Sequence, residues 1–246
     1  MGHLHEEAVK KLSQAVHGVI LDQSKPLGIC EVCRTSQAPQ QISRRTPERA
    51  TQPFQRVHFD LIQLEEGYNH DCWVLHFLDD CARFHFVYTM RQKSQATATV
   101  QEFAALVQNQ FKCKIEIFHT DGERSLGNDF MNWIASEGII LETSAPYTPA
   151  QNGTAERSGG VIINRAREMR LQSNLPANLW PELVRTGARL LNRSPVRQLN
   201  WRTPIEVLYR ALNNSVRIPT LFYARVPSCK VYARILNIPK LKKMDP

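Results

Sequence analysis

Three acidic residues stand where carboxylates seldom have a purely structural task. Asp60 interrupts the apolar run VHFDLI, Asp121 follows a strand-like run within HTDGER, and Glu156 begins a long helical pattern directly after a loop. If they converge in a mostly buried setting, three carboxylates repel one another unless a cation neutralises them. Hard oxygen ligands of this kind suit Mg²⁺ or Mn²⁺.

Two such ions about 4 Å apart can hold the attacking and leaving oxygens of an in-line phosphoryl transfer, with no covalent protein intermediate. Each acid alone also has an ordinary explanation. A strand Asp can be an edge residue, Asp-Gly is a common turn, and an early helix Glu complements the helix dipole. The order and spacing of the three acids together favour catalysis.

Hydrophobic periodicity predicts the elements that must position these acids. Strand patterns cover 54–64, 73–80, 83–90, 114–119 and 139–144, and helical patterns cover 94–111, 128–137, 154–173, 177–192 and 204–210. This order predicts an α/β fold, a mixed five-stranded sheet flanked by helices. The first and fourth strands can lie side by side, bringing Asp60 and Asp121 together at one edge of the sheet. The helix after 154 can present Glu156 to the same point.

A second group of candidate ligands lies near the N-terminus. Cys30 and Cys33 form a CxxC pair, and 26 residues separate His3 from Cys30. Thiolate and imidazole ligands suit tetrahedral Zn²⁺, although two unrelated cysteines and a stray histidine are the alternative. A helix is predicted over 6–19 and a linker over 34–53. The predicted domains are 1–45 (zinc-binding segment), 54–212 (catalytic core) and 213–246 (start of a C-terminal region).

The charge of the chain favours a polyanionic partner, nucleic acid before an anionic membrane. The formal net charge is +8 and the pI about 9.3. From Arg157 to Arg210 there are ten Arg, no Lys and three Glu, a net +7, although a solvated helical face would also explain this. No run approaches the roughly 20 apolar residues that cross a bilayer. The N-terminal MGHLHEEAVKK has no apolar signal core, so neither a membrane partner nor secretion is expected.

The three acids, with 34 residues between Asp121 and Glu156, resemble the D,D-35-E set of retroviral and retrotransposon integrases. HTDGERSLGNDF and PYTPAQNGTAER resemble, more specifically, the integrase core of copia-type (Pseudoviridae-like) retrotransposons, as do TPIEVLYR and VYARILNIPKLKKMDP. The resemblance covers essentially the whole chain. It implies a ribonuclease-H-like fold, dependence on Mg²⁺ or Mn²⁺, and 3′-end processing and strand transfer that insert element DNA into host DNA.

The resemblance also implies where DNA is bound. In integrases a mobile loop before the catalytic Glu helps to seat a DNA end. Candidate contacts in that loop are Tyr147, Gln151 and Asn152, although an ordinary connector is the alternative. On the helix that follows, the candidates are Arg157, Asn164 and Arg167; arginines there would contact phosphates and position DNA without reading its sequence.

The family implies further properties. Its HHCC zinc site would use His3, Cys30 and Cys33, with the first His falling before residue 1, so the segment is expected to be truncated. A homo-oligomer on DNA and a nuclear location after a cytoplasmic particle stage are also expected. The family commonly has polar or basic residues at 158–160, and here Gly159 and Gly160 are expected to remove two DNA-contacting side chains.

Two alternatives remain open. A degraded or domesticated integrase remnant would bind nucleic acid through the same fold and basic surface without doing chemistry. A ribonuclease H acting on RNA–DNA hybrids would normally use a fourth carboxylate and a different loop before it.

Overall fold

The computed structural model describes residues 4, 6–20, 49–120, 127–143, 155–213 and 218–229, and for residues 6 and 155–158 only the backbone. The strands are β1 (Arg56–Gln63), β2 (Trp73–Asp79), β3 (His85–Met90), β4 (Ile117–Thr120) and β5 (Ile140–Thr143). The α-helices are α1 (Glu6–Ala15), α2 (Ala96–Leu106), α3 (Gly127–Glu137), α4 (Ala155–Gln172), α5 (Trp180–Leu191) and α6 (Pro204–Asn213).

The predicted element order is confirmed, and the differences lie at element ends. The helix predicted over 94–111 has a 3₁₀ turn, Lys93–Gln95, before α2 and a π-helical turn, Val107–Phe111, after it. The helix predicted over 6–19 ends at Ala15. Among the described residues no helix is long and apolar enough to cross a membrane.

The five strands form one mixed sheet in the order β3-β2-β1-β4-β5. β1 pairs with β2 antiparallel and with β4 parallel, and β4 pairs with β5 parallel. The predicted adjacency of the first and fourth strands is therefore confirmed. β1 is the central strand, however, so Asp60 lies within the sheet and not at an edge of it.

Both faces of the sheet are covered by helices. On one face Phe59 and Phe77 pack with Phe103 of α2 and Phe130 of α3, and the Phe77 and Phe103 rings stack with centroids 4.0 Å apart. On the other face Val74 packs against the apolar sides of α4 and α5. Burying large aromatic side chains is the main source of stability in such a layered fold. The sheet is therefore a rigid support for what lies on its α4 side.

The segments before and after the core are joined by backbone hydrogen bonds. The backbone N–H of His17 donates to the carbonyl of Pro219 at 3.1 Å, and that of Leu221 donates to the carbonyl of His17 at 3.1 Å. Leu12 and Val16 of the N-terminal segment are buried. The predicted domain boundaries stay predictions.

Candidate active site

Asp60 lies on the face of β1 that is opposite the aromatic core. Its neighbours Phe59 and Leu61 belong to that core, whereas Ile62 packs against the cluster formed with α4 and α5. Because side chains alternate along a strand, Asp60 shares the α4 side with Ile62. Asp60 is half-buried, so its negative charge is partly desolvated and its environment favours a nearby compensating cation.

The strand register decides what stands beside Asp60. In the antiparallel pair with β2, Asp60 is directly opposite His76, and in the parallel pair with β4, His58 is opposite His119. β4 ends at Thr120, one residue before Asp121. Asp121 itself lies outside the described residues.

The second turn of α4 lies against the Asp60 carboxylate. Gly159 is buried, and a Cβ built on it would lie 2.7 Å from Asp60 Oδ2 and 3.0 Å from Ile62 Cδ1. Residues three apart on a helix are neighbours on its surface, and Gly159 follows Glu156 by three. The backbone of Glu156 is in the first turn of α4, and its side chain lies outside the described part. The start of α4 is thus brought to Asp60.

Four histidines lie on the same side of the sheet as Asp60: His58, His76, His85 and His119. His76 Nε2 is 3.0 Å from His85 Nδ1, and the two rings stack with centroids 5.2 Å apart. Burial, together with the charge of Arg83, lowers the pKa of His76 to about 3. Burial, followed by His76 and Arg83, likewise holds the pKa of His85 well below its ordinary value. Both imidazoles are therefore neutral at pH 7, and one ring donates its N–H to the other.

Two further acids near β2 have structural partners. Asp80 Oδ1 is 3.3 Å from His58 Nε2, and Asp80 Oδ2 accepts the Ala50 N–H at 2.8 Å. Burial alone would raise the pKa of Asp80, but the His58 contact and the Ala50 N–H hold it below its ordinary value. Asp79 accepts the backbone N–H groups of Phe54 and Ala82, each at 2.6 Å. These carboxylates anchor the chain where it enters β1.

The DNA-contact candidates on α4 differ in exposure. Arg167 is exposed and Asn164 is half-buried, while Ile162 and Ala166 on another side of the helix are buried against α5. The side chain of Arg157 lies outside the described part, as do Tyr147, Gln151 and Asn152 altogether. Of the six candidates, the structure therefore describes the side chains of two.

The basic segment that follows Glu156 keeps its excess charge after folding. Each of its three acids has an arginine partner on its own helix: Arg165 with Glu168 at 2.9 Å, Arg185 with Glu182 at 3.0 Å, and Arg210 with Glu206 at 3.5 Å. The excess of +7 therefore belongs to the other arginines. Among those whose side chains the structure describes, Arg167, Arg189, Arg197 and Arg202 are exposed.

The predicted metal ligands lie mostly outside the described residues. Within the described ranges no three or more His, Cys, Asp or Glu side chains are grouped as a metal would require. Asp121, His3, Cys30 and Cys33 are outside these ranges, and so is the Glu156 side chain. The magnesium and zinc sites stay predictions.

Gly159 lies where the structure differs from the expectation drawn from the sequence. It was expected to stand for a DNA-contacting side chain that had been lost, which is wrong because Gly159 is buried against Asp60 and Ile62. Gly160 is exposed with open space around it. Spacing alone could not have identified Gly159, because Gly159 and Gly160 follow Glu156 by three and four residues and both spacings place a residue on the side of the helix that carries Glu156.

Residues 50–149 match the family model described as Integrase core domain, a range that holds β1 to β5 and ends before Glu156. This match and the mixed five-stranded sheet support an integrase core domain. Among solved structures, a chain of the simian T-cell lymphotropic virus intasome in complex with the PP2A regulatory subunit B56 gamma has a similar fold. Its TM-score is 0.54 at 18% identity, covering 84% of this chain and 69% of that one.

The curated relatives are polyproteins of plant retrotransposons. The chain is 28% identical over its whole length to the Retrovirus-related Pol polyprotein from transposon TNT 1-94 of Nicotiana tabacum. Over 87% of its length it is 24% identical to that from transposon RE1 of Arabidopsis thaliana. The chain spans 18% and 14% of these polyproteins, respectively. The resemblance found in the sequence is confirmed: residues 50–149 match an integrase core domain, and the chain is similar to the Pol polyproteins of copia-type plant retrotransposons.

Proposed function

We propose that the chain is a polynucleotidyl transferase that processes element DNA 3′ ends and joins them to host DNA, with Asp60, Asp121 and Glu156 as its catalytic residues. The observation that carries this proposal is the contact between Gly159 and Asp60. It brings the second turn of α4, which directly follows the turn that contains Glu156, to a half-buried carboxylate on the central strand.

The strand register supports the second carboxylate. His58 and His119 are partners in the parallel pair, and Asp60 and Asp121 each follow by two residues. If that register continues beyond Thr120, Asp121 stands next to Asp60 on the same side of the sheet. The donor set would then consist of carboxylate oxygens alone, which fits Mg²⁺ or Mn²⁺. Asp60, Asp121 and Glu156 would hold the metal, which when bound polarises the phosphodiester and lowers the pKa of the attacking hydroxyl.

The chain's own residues supply rigidity and DNA positioning. Asp60 is fixed by a strand that is paired on both sides, and Ile62 and the α4 backbone screen one flank of its carboxylate from water. Arg167, which is exposed on α4, would hold a phosphate. Arg157, Asn164 and the loop residues Tyr147, Gln151 and Asn152 would complete the DNA contact.

We also propose the other properties that the family resemblance implies. DNA is the partner, with the chain acting as a homo-oligomer in the nucleus after a cytoplasmic particle stage. Zn²⁺ would be held by His3, Cys30 and Cys33. The support for these proposals is the resemblance together with the basic charge of the chain.

A strand-transfer assay with an oligonucleotide DNA end tests the assignment. We expect Asp60→Asn, Asp121→Asn and Glu156→Gln each to abolish cleavage and joining in Mg²⁺ or Mn²⁺, because every carboxylate charge is needed to hold the metal. Chelation by EDTA should abolish the activity of the unaltered chain. Asp129→Asn is the matched control, since Asp129 is an exposed acid on α3, away from this site.

The same assay separates the alternatives. Near-normal activity in any of the three variants would contradict the assignment of that residue. If the unaltered chain binds the DNA end but neither cuts nor joins it, the non-catalytic remnant is the correct function. If it cuts an RNA–DNA hybrid in preference to the DNA end, the ribonuclease H alternative is correct.

A further inference from the structure

Two adjacent glycines of α4 have opposite surroundings. A Cβ built on Gly159 would lie 2.7 Å from Asp60 Oδ2 and 3.0 Å from Ile62 Cδ1, whereas one built on Gly160 would meet nothing within 4 Å. Gly159 is buried and Gly160 is exposed. Real Cβ atoms essentially never approach another atom within 3.0 Å. Any side chain at 159 would therefore displace a neighbour, and a side chain at 160 would not.

The parts around Gly159 differ in how easily they can move. α4 is held on the sheet by Ile162, Ala166 and Met169, which are buried against Val74 and α5. The backbone of Asp60 belongs to a strand with partners on both sides. Close-packed elements of this kind resist translation, while a carboxylate at the end of a side chain can turn about two torsions. A Cβ at 159 would therefore turn the Asp60 carboxylate and leave the fold in place.

We infer that Gly159 is a positioning residue that fixes the orientation of the Asp60 carboxylate. Because it has no side chain, the α4 backbone itself is the surface against which the carboxylate rests, and alanine at this position would rotate the oxygens that Asp60 presents to a metal. The inference rests on the proposed function only in treating Asp60 as a metal ligand.

Gly159→Ala and Gly160→Ala form a matched pair. Both replace a helix-interior glycine with the residue of highest helix propensity, so their intrinsic effects on α4 are the same. The readout is Mn²⁺ affinity of the full chain, measured by titration calorimetry in the absence of DNA, with strand transfer measured in parallel. We expect Gly159→Ala to weaken Mn²⁺ binding roughly 10- to 100-fold, the range found when a residue that orients a metal ligand is changed. Gly160→Ala should bind Mn²⁺ as the unaltered chain does.

Two further variants test whether the loss of Mn²⁺ affinity arises through Asp60 or through Ile62. In an Asp60→Asn background Gly159→Ala should have no additional effect on Mn²⁺ affinity, because the oriented ligand is already lost. Ile62→Val removes the Cδ1 atom that a Cβ at 159 would meet at 3.0 Å. If Ile62→Val restores the Mn²⁺ affinity of Gly159→Ala, the crowding acts through Ile62 and the inference is overturned.

The remaining outcomes are also decisive. Unchanged Mn²⁺ affinity in Gly159→Ala, or an equal loss in Gly160→Ala, overturns the inference while the proposed function stands. If Asp60→Asn alone leaves Mn²⁺ affinity unchanged, the proposed function fails instead, and the inference with it. Should Gly159→Ala not fold, Gly159→Ala with Asp60→Ala decides: recovery of folding supports the contact with Asp60, and failure to recover overturns it.

Discussion

Replacing Arg167 should change how DNA binding by this chain responds to salt. Arg167 is exposed on α4 and follows Glu156 by eleven residues. At a rise of 1.5 Å per residue it stands about 16 Å along the helix from the proposed catalytic Glu. For DNA that lies along α4, with an axial rise of 3.4 Å per nucleotide, that distance corresponds to a phosphate about five nucleotides from the reacting bond.

Loss of one phosphate contact has a calculable effect on affinity. The slope of log affinity against log salt falls by about 0.9 for each phosphate contact removed from duplex DNA. Raising salt from 50 to 200 mM should therefore weaken DNA binding by the unaltered chain about 3.5-fold more than binding by Arg167→Ala. Fluorescence anisotropy with a labelled duplex over this salt range measures both slopes.

Arg185→Ala is the control for the loss of a positive charge. Its guanidinium contacts Glu182 at 3.0 Å and donates to the Thr89 hydroxyl, so it is already occupied within the protein. We expect its salt slope to equal that of the unaltered chain. An unchanged slope in Arg167→Ala, or an equal decrease in both variants, would show that Arg167 belongs to a solvated surface and that the bound DNA runs elsewhere.

Two other predictions concern stability and zinc. His76 and His85 are neutral in the folded chain because burial lowers both pKa values, so the stability they preserve is complete above their unfolded pKa near 6.5 and is lost as pH falls towards the lowered values. Protonation of His76 in the unfolded chain should lower the unfolding free energy by at most about 1.4 kcal/mol per pH unit, a slope that is approached as pH falls below 6.5. His76→Gln should therefore flatten the fall in unfolding free energy between pH 6.5 and 5 in urea melts, and an equally steep fall in the variant would contradict this. The chain should bind Zn²⁺ through Cys30 and Cys33, so the double Cys→Ser variant should lose zinc measured by atomic absorption, while equal zinc in both chains would contradict the site.

Local sequence pattern was sufficient for the elements and for proposing the three acids. The alternation around Asp60 and the 3.6-residue periodicity after Glu156 are properties of neighbouring residues, so they could be recognised without any tertiary contact. The same holds for the adjacency of β1 and β4, which follows from the short list of ways that this element order can be connected. The basic segment after Glu156 was also visible, because charge is a property of composition.

Other features depend on how distant segments meet. The grouping of His58, His76, His85 and His119 on one side of the sheet is set by strand register, and a shift of one residue would have separated them. Pairing within a helix, as in Arg165 with Glu168, follows from spacing, but the near-complete burial of Glu168 does not.

Gly159 shows most clearly what depends on the tertiary structure. From the sequence alone it was one of two unfavourable helix glycines, and nothing in its local context distinguished it from Gly160. The distinction appears only where α4 crosses β1, because the approach of two packed elements is fixed by side chains far apart in the chain. The sequence determined which residues could do the chemistry, and the tertiary structure decided which backbone lies against the Asp60 carboxylate.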